Sequence, residues 1–276
     1  MKVFNCDKYS KLSNFIIEKY QGAISYGTVM KLLRKKDIKV NGVRVNKDVI
    51  VSLGDEISVY YDGEKTYEIS VIYIDENLLI CDKPTGITSE DYELVVKKTY
   101  PTAELCHRLD RNTDGILCFS LNQTANAELL NAFKNRTVKK YYLCEVYGSF
   151  NEKEGTLTAY LIKNAKESTV KIFKRQIENS VKIITKYKTL KCSGGTSLLE
   201  VELVTGKTHQ IRAHLAHEGH FIIGDGKYGN MKINALYKAK GQRLTAYKIA
   251  FETGGALKYL SGKEFKLLRE VYGVNK

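Results

Sequence analysis

Hydrophobic positions in the first sixty residues follow the spacing of helices and then the alternation of strands. The helical spacing predicts one amphipathic helix near residues 12–20 and a second near residues 28–36. Residues 38–45 then alternate about an Asn-Gly pair, the strongest short-range signal of a β-hairpin, and a strand at 57–61 closes the unit. The inward positions of the helices are Leu12, Phe15 and Ile16 in the first and Val29, Leu32 and Leu33 in the second.

Polar residues 62–66 form the predicted linker, which divides the chain into domains at 1–62 and 67–276. Strands outnumber helices in the larger part and do not alternate with them regularly. The predicted fold class is therefore α+β, with a mixed, mainly antiparallel sheet. The apolar runs that predict strands lie at residues 69–74, 78–81, 116–119, 141–146, 170–173, 181–188 and 198–204.

Two helices are predicted in the larger part, at residues 92–99 and 123–134. The second begins at Asn122 or Thr124, since both residue types cap helices well. Its predicted inward face consists of Leu129, Leu130 and Phe133.

The charge balance points to a partner. The chain has 44 Lys and Arg against 31 Asp and Glu, a formal net charge of +13. Such an excess favours a polyanion, most naturally nucleic acid, although a basic surface also aids solubility. The cations that would follow a phosphate backbone border the second helix and the hairpin, where the alternative is a solvated face. They are Lys31, Arg34, Lys35, Lys36 and Lys39.

The six cysteines form no Cys-x-x-Cys pair, and several lie inside apolar runs. We interpret them as reduced core residues and not as a metal site. The chain has no apolar run long enough to cross a bilayer and does not begin with the long apolar stretch of a secretory signal. A cytoplasmic protein is therefore expected.

Residues 107–115, HRLDRNTDG, place an acid among cations ahead of an apolar strand. Asp110 is expected to be held ionised by His107, Arg108 and Arg111, as suits a carboxylate that reacts. The alternative is a simple turn, with Asp110 as its first residue.

A second segment, at residues 205–220, is open to three interpretations. Gly-Lys-Thr at 206–208 matches the last three residues of the phosphate-binding loop motif, but Val201 stands where that motif needs glycine. The sequence therefore does not contain this motif. Four of the five histidines lie here, yet the spacing of a zinc protease site is missing. The third interpretation is a substrate-holding helix from about Thr208, whose Arg212 pairs with Asp110.

Together, HRLDxxTxG at 107–115 and GKTHQIRxH at 206–214 resemble the two signatures of the RluA-type pseudouridine synthases. Three further segments match the family, at 82–86, 140–148 and 219–229, and all five motifs occur in the expected order along the chain. The resemblance therefore covers about residues 70–251. The chain departs from the family pattern at four positions, none of which removes a group that the chemistry needs. Phe221 replaces proline, Lys207 arginine and Thr245 histidine, and Asp114 adds a second carboxylate near Asp110.

The N-terminal unit resembles the RNA-binding module named for ribosomal small-subunit protein four. The match lies in LLRKKDIKVNG at residues 32–42 and in GDEI at 54–57. This resemblance implies that the cations of the unit contact RNA.

The resemblance to the synthases implies a pseudouridine-synthase fold with a central cleft, which works without cofactor or metal. Nothing in the sequence demands more than a monomer, which is the expected state. It also implies isomerisation of a flipped uridine in structured RNA, with ribosomal RNA favoured over transfer RNA. Asp110 would be the catalytic carboxylate, Arg212 its counter-ion and Tyr142 the surface on which uracil stacks. Arg108 would fill the gap left by the base, and Ile222 or Ile223 would form an apolar floor. Two other classes remain as alternatives: an RNA-binding or ribosome-assembly factor without activity, and a hydrolase of glycosidic bonds.

Overall fold

The computed structural model describes residues 1–22, 24–61, 67–164 and 168–274. The chain forms two compact units, Met1–Thr66 and Tyr67–Lys276. The predicted linker at 62–66 lies outside the described residues. None of the described helices combines the length and the apolar character needed to cross a membrane.

The N-terminal unit packs two helices against a small sheet, as its pattern predicts. Strands β1, β6, β3 and β4 form the sheet in that order, and β2 pairs with β5. Asn41 and Gly42 have φ angles of 50° and 78°, which gives the hairpin the left-handed turn that Asn-Gly favours. The elements are β1 (Lys2–Asn5), β2 (Ser10–Lys11), α1 (Leu12–Lys19), α2 (Tyr26–Lys35), β3 (Ile38–Val40), β4 (Val43–Arg44), β5 (Ile50–Val51) and β6 (Glu56–Val59).

The C-terminal unit is built on one large sheet. Its first elements are β7 (Ser70–Ile74), β8 (Leu78–Lys83), α3 (Ser89–Lys97), β9 (Glu104–Leu105), β10 (Asp114–Ser120), α4 (Gln123–Asn135), β11 (Val138–Tyr147) and β12 (Glu154–Asn164). Then follow β13 (Thr169–Phe173), β14 (Val181–Ser193), β15 (Thr196–Leu203), α5 (Gln210–His217), α6 (Met231–Leu236), β16 (Leu244–Phe251), a 3-10 helix (Gly255–Leu260) and β17 (Glu264–Lys266).

The sheet has eleven strands, nine of them in the order β13-β12-β14-β15-β11-β16-β10-β8-β7. Strand β9 pairs with β10, and β17 pairs with β16. The described pairs are antiparallel except β10 with β16, which are parallel. The α+β class with a mixed, mainly antiparallel sheet is therefore confirmed. Strands β9, β12, β16 and β17 of this sheet were not predicted.

Successive side chains of the central strands point to opposite faces of the sheet and pack into two hydrophobic cores. Leu79 and Cys81 of β8 face a core that includes residues of α3 and α5, whereas Leu78 and Ile80 face one covered by α4 and the 3-10 helix. Helix α4 begins at Asn122, whose side chain accepts from the amide of Ala125, as predicted. Its predicted face is wrong at one position, because Leu130 is exposed while Leu129 and Ala132 are buried.

Candidate active site

Asp110 lies on the loop between β9 and β10, in a turn closed by a 3.0 Å hydrogen bond from the amide of Thr113 to the Asp110 carbonyl. Ser89, at the start of α3, fixes the preceding residue: its hydroxyl accepts from the Leu109 amide at 2.8 Å and donates to the Leu109 carbonyl at 3.1 Å. The Asp110 side chain is 25% exposed. The loop thus contains the turn of the simpler interpretation, with a half-buried carboxylate at its head.

Gly115 brings this loop against the neighbouring strand. Its φ is +110°, and a Cβ atom there would overlap the Ala246 carbonyl of β16. Only glycine permits both this conformation and this approach.

The prediction that neighbouring cations hold Asp110 ionised is wrong. His107 is half-buried, its Nε2 accepts from the Cys118 amide at 3.2 Å, and desolvation of the ring lowers its pKa to about 3, so the ring is uncharged at neutral pH. Arg108 is exposed and pairs with Glu90 at 2.7 Å. Arg111 is also exposed and lies 4.0 Å from Asp91. The sequence brings these cations near the loop, but acids of α3 engage the arginines.

Arg212 of α5 supplies the counter-ion. Its Nη1 donates to Oδ2 of Asp110 at 2.8 Å, as the sequence predicts, and its Nε and Nη2 donate to Oδ2 and Oδ1 of Asp225 at 2.7 and 2.9 Å. Burial opposes the charge of Arg212, but the hydrogen bonds and charge of Asp225, joined by Asp110, outweigh it and raise the pKa of Arg212. The guanidinium is therefore a permanent cation held between two carboxylates.

Asp225 was not predicted as a site residue. Its side chain is fully buried, and Oδ1 also accepts from the amides of Lys227 and Tyr228 at 2.8 and 3.1 Å. Burial would raise the pKa of Asp225, but Arg212 and these amides lower it. Asp225 thereby fixes the plane of the guanidinium, and the motif at 219–229 is the sequence signal that contains it.

Tyr142 lies on β11 at an irregular point of the sheet. The register of β11 with β16 shifts between Tyr141 and Tyr142, so that Tyr142 pairs with Ala246. Such bulges turn a side chain towards a site. The ring is 5% exposed, and burial, followed by the charge of Asp110, raises the pKa of its hydroxyl.

The predicted apolar floor is present only in part. Ile222 packs in the same core cluster as Tyr142 and forms a bridge with Val146. Ile223 is held through its backbone, whose amide donates to the Glu145 carbonyl at 2.9 Å. Both isoleucines are fully buried, so neither presents exposed apolar surface beside Tyr142.

The histidines of the second segment are dispersed. His214 is buried against Thr185, with its Nδ1 3.0 Å from the hydroxyl, and His217 is exposed. His209 is the exception, because its Nε2 lies 3.9 Å from Oδ2 of Asp110. Within the described ranges, no three His, Cys, Asp or Glu side chains are grouped as metal ligands.

The second carboxylate near the loop has its own partner. Asp114 pairs with Arg269 at 2.6 Å and accepts from the Thr245 hydroxyl at 2.8 Å. Arg269 also contacts Asp82 at 2.6 Å, so one C-terminal arginine joins two acids of the sheet. Asp114 therefore leaves the pairing of Asp110 with Arg212 intact.

In the separate N-terminal unit, the predicted basic residues occupy the solvent side of α2 and β3. Four are exposed and Lys39 is half-buried, with its Nζ 5.6 Å from the ring of Tyr60. Arg44, also exposed, lies beside the same ring and was not predicted. The four exposed cations are Lys31, Arg34, Lys35 and Lys36.

The family model for RNA pseudouridylate synthase matches residues 77–217, which include the Asp110 loop, Tyr142 and Arg212. The chain belongs to this family. The RluA-type resemblance stated from the motifs is thereby confirmed, and so is the class of enzyme, an isomerase that converts uridine to pseudouridine in RNA.

Individual relatives agree with the family assignment. Ribosomal large subunit pseudouridine synthase C of Rickettsia conorii is 32% identical over 255 residues, which cover 81% of this chain and 84% of that protein. The protein of the same name from Vibrio cholerae is 29% identical over 252 residues, covering 82% and 78%. The solved structure of human RNA pseudouridylate synthase domain containing 1 shares the fold, with a TM-score of 0.62 at 24% identity over 76% of this chain and 94% of that one.

Proposed function

We propose that this synthase isomerises uridine in large-subunit ribosomal RNA, with Asp110 as the catalytic carboxylate. The observation that carries the proposal is the ion-paired row of Asp110, Arg212 and Asp225, which ends in a carboxylate that is one-quarter exposed. The names of the Rickettsia and Vibrio relatives favour ribosomal RNA as the substrate over transfer RNA.

The reaction needs no added atom. The bond between N1 of uracil and C1′ of ribose breaks, the base turns over, and C5 bonds to C1′, while C5 loses its proton and N1, which carried none in uridine, gains one. Asp110 acts on the ribose or the base as the first bond breaks, and Arg212 balances its charge. The uridine must leave its stack, which costs about a few kcal/mol, and contacts between the enzyme and the RNA must offset this cost.

The other predicted residues serve the flipped nucleotide in this proposal. Tyr142 stacks on uracil. Ile222 packs in the core behind Tyr142, and the backbone of Ile223 holds the segment that carries Ile222 against β11. Arg108 is 74% exposed, so its side chain is free to leave Glu90 and enter the gap in the RNA. An ion pair this exposed contributes only about 0–1 kcal/mol, so the exchange costs little.

We also propose that the N-terminal unit binds structured RNA. Its exposed cations Lys31, Arg34 and Lys35 lie on α2, and Lys36 caps the end of this helix beside a basic hairpin, a pattern suited to phosphates. A monomer in the cytoplasm fits the remaining observations. The acid–arginine row comes from one chain, and all six cysteines are free thiols, as in a reducing compartment.

The decisive experiment compares Asp110→Asn with Asp91→Asn, a change at a more exposed aspartate of α3. We expect Asp110→Asn to abolish tritium release from RNA labelled at C5 of uracil while RNA binding persists, and Asp91→Asn to retain normal release. Mapping pseudouridines in total RNA with and without the gene then identifies the substrate. Release at the normal rate from Asp110→Asn would refute the catalytic role of Asp110, and an unchanged pseudouridine map would favour a non-catalytic RNA-binding factor.

A further inference from the structure

His209 is held in an unusual conformation beside the catalytic carboxylate. It precedes α5 with φ 52° and ψ 18°, in the left-handed region, which few residues other than glycine enter and in which Asn, Asp and His are the most frequent of these. Its side chain is 13% exposed. A ring held in this conformation beside the carboxylate is expected to be fixed by its surroundings.

A chain of hydrogen bonds determines which ring nitrogen of His209 carries the proton. The amide of Val170 can only donate, and it donates to the hydroxyl of Tyr228 at 2.8 Å. The same hydroxyl lies 2.9 Å from Nδ1 of His209. Because the Val170 amide already occupies an acceptor site of the Tyr228 hydroxyl, we assign the Tyr228 proton to the hydrogen bond with Nδ1, which places the ring proton of neutral His209 on Nε2.

The charge state agrees with this assignment. Burial lowers the pKa of His209, against the opposing influence of Asp110 and with the support of Arg212. Burial also raises the pKa of Tyr228, so its hydroxyl keeps the proton that it donates. His209 is therefore a neutral ring whose one N–H group points towards Asp110.

The distance from His209 to Asp110 leaves room for one oxygen atom. Nε2 is 3.9 Å from Oδ2, too far for a direct hydrogen bond. An atom at hydrogen-bond distance from both would see them at an angle of about 90°, which suits a group that accepts from one and donates to the other. A hydroxyl has both capacities, whereas a uracil carbonyl only accepts.

We propose that His209 and Asp110 together bind the 2′-hydroxyl of the target uridine, with His209 donating to it and the hydroxyl donating to Asp110. This inference rests on the proposed function and makes His209 a substrate-binding residue that recognises ribose. The 2′-hydroxyl is the group that distinguishes RNA from DNA at a single nucleotide.

The first test needs no activity. In the full chain labelled with ¹⁵N-histidine, with the His209 signals assigned by their loss in His209→Gln, NMR at pH 7 is expected to find Nε2 protonated and Nδ1 bare. Tyr228→Phe removes the donor to Nδ1 and should shift the ring towards a mixture of tautomers. A proton on Nδ1, or a charged ring, in the wild type would overturn the inference whatever the protein's substrate.

The second test uses two RNA oligonucleotides that carry uridine or 2′-deoxyuridine at the position that the wild type converts. We expect the wild type to bind the uridine RNA about tenfold more tightly, the effect of one or two hydrogen bonds. His209→Asn tolerates the left-handed backbone but is too short to reach, so it should lose most of this preference. His209→Gln places an amide near the position of Nε2 and should recover part of it.

A purely structural role for His209 would weaken binding of both RNAs by the same factor, and that result would refute the proposal. Absence of conversion by the wild type would instead refute the proposed function, while the NMR measurement would still decide the tautomer.

Discussion

Asp225→Asn tests the claim that a buried carboxylate positions Arg212. Asp225 accepts four hydrogen bonds, two from Arg212 and two from backbone amides. An asparagine oxygen can keep those made to Oδ1, but its amide nitrogen would face the Nε–H of Arg212, so donor would meet donor. Removing one partner of a buried ion pair costs about 3–5 kcal/mol, and we expect a loss of unfolding free energy in this range.

The rate should fall as well, because the guanidinium loses the contact that sets its plane. A displacement of about 1 Å at an aligned group costs roughly 100-fold in rate, which is the decrease we expect for Asp225→Asn. Urea denaturation measures the stability. Single-turnover tritium release measures the rate, without urea and at a temperature where circular dichroism shows the variant to be folded.

Asp110→Asn is the matched comparison, since it removes the other carboxylate of the same arginine. Its side chain is 25% exposed and that of Asp225 is 0% exposed, so its loss should destabilise the fold much less while eliminating the reaction. Equal losses of stability in the two variants, or a wild-type rate from folded Asp225→Asn, would refute the reasoning.

Three further predictions concern the scaffold and the basic unit. Gly115→Ala should destabilise the protein by several kcal/mol, because its Cβ would overlap the Ala246 carbonyl, whereas Gly86→Ala, with open space around it, should cost only about 1 kcal/mol of backbone strain; equal urea midpoints would contradict this. His107 has a folded pKa of about 3, below its ordinary value of 6.5, so the unfolded chain binds the extra proton and stability should fall as pH decreases from about 6.5 to about 3; His107→Gln should show a shallower fall, and an unchanged slope would count against the assignment. Replacing Lys31, Arg34 and Lys35 by Gln should weaken RNA binding and flatten its salt dependence by about 0.7–0.9 per lost phosphate contact, with Lys258→Gln as a control in the other unit; an unaltered salt slope would argue against phosphate binding.

The sequence predicts those parts of the fold whose cause is local. The Asn41-Gly42 hairpin and the Asn122 cap depend on neighbouring residues, and both are present in the structure. Strand β12 was missed because only two of its eleven residues are buried, so its apolar pattern is weak. Leu130 was wrongly assigned to the buried face of α4, because its position also fits the helical spacing of Leu129 and Phe133 although its side chain is exposed.

The site shows the same division. Asp110 and Arg212 were paired from two motifs, and the contact is present at 2.8 Å. The assumed partners His107 and Arg108 could not be excluded from sequence, because burial of a ring and capture of an arginine by Glu90 are decided by tertiary packing. Asp225 was missed for a related reason, since nothing in its neighbourhood along the chain reveals that an arginine of α5 lies against it.

The position of β16 has a consequence for biosynthesis. This strand lies between β10 and β11, so the hydrogen-bonded sheet consists of two separate halves until residues 244–251 have been made. One half carries the Asp110 loop and the other carries Tyr142. A nascent chain would therefore expose two open strand edges during translation of more than a hundred residues, a state prone to mispairing. We expect the Asp110 loop and Tyr142 to come together only when nearly the whole chain has left the ribosome, so that incomplete chains hold the N-terminal unit but lack the assembled candidate site.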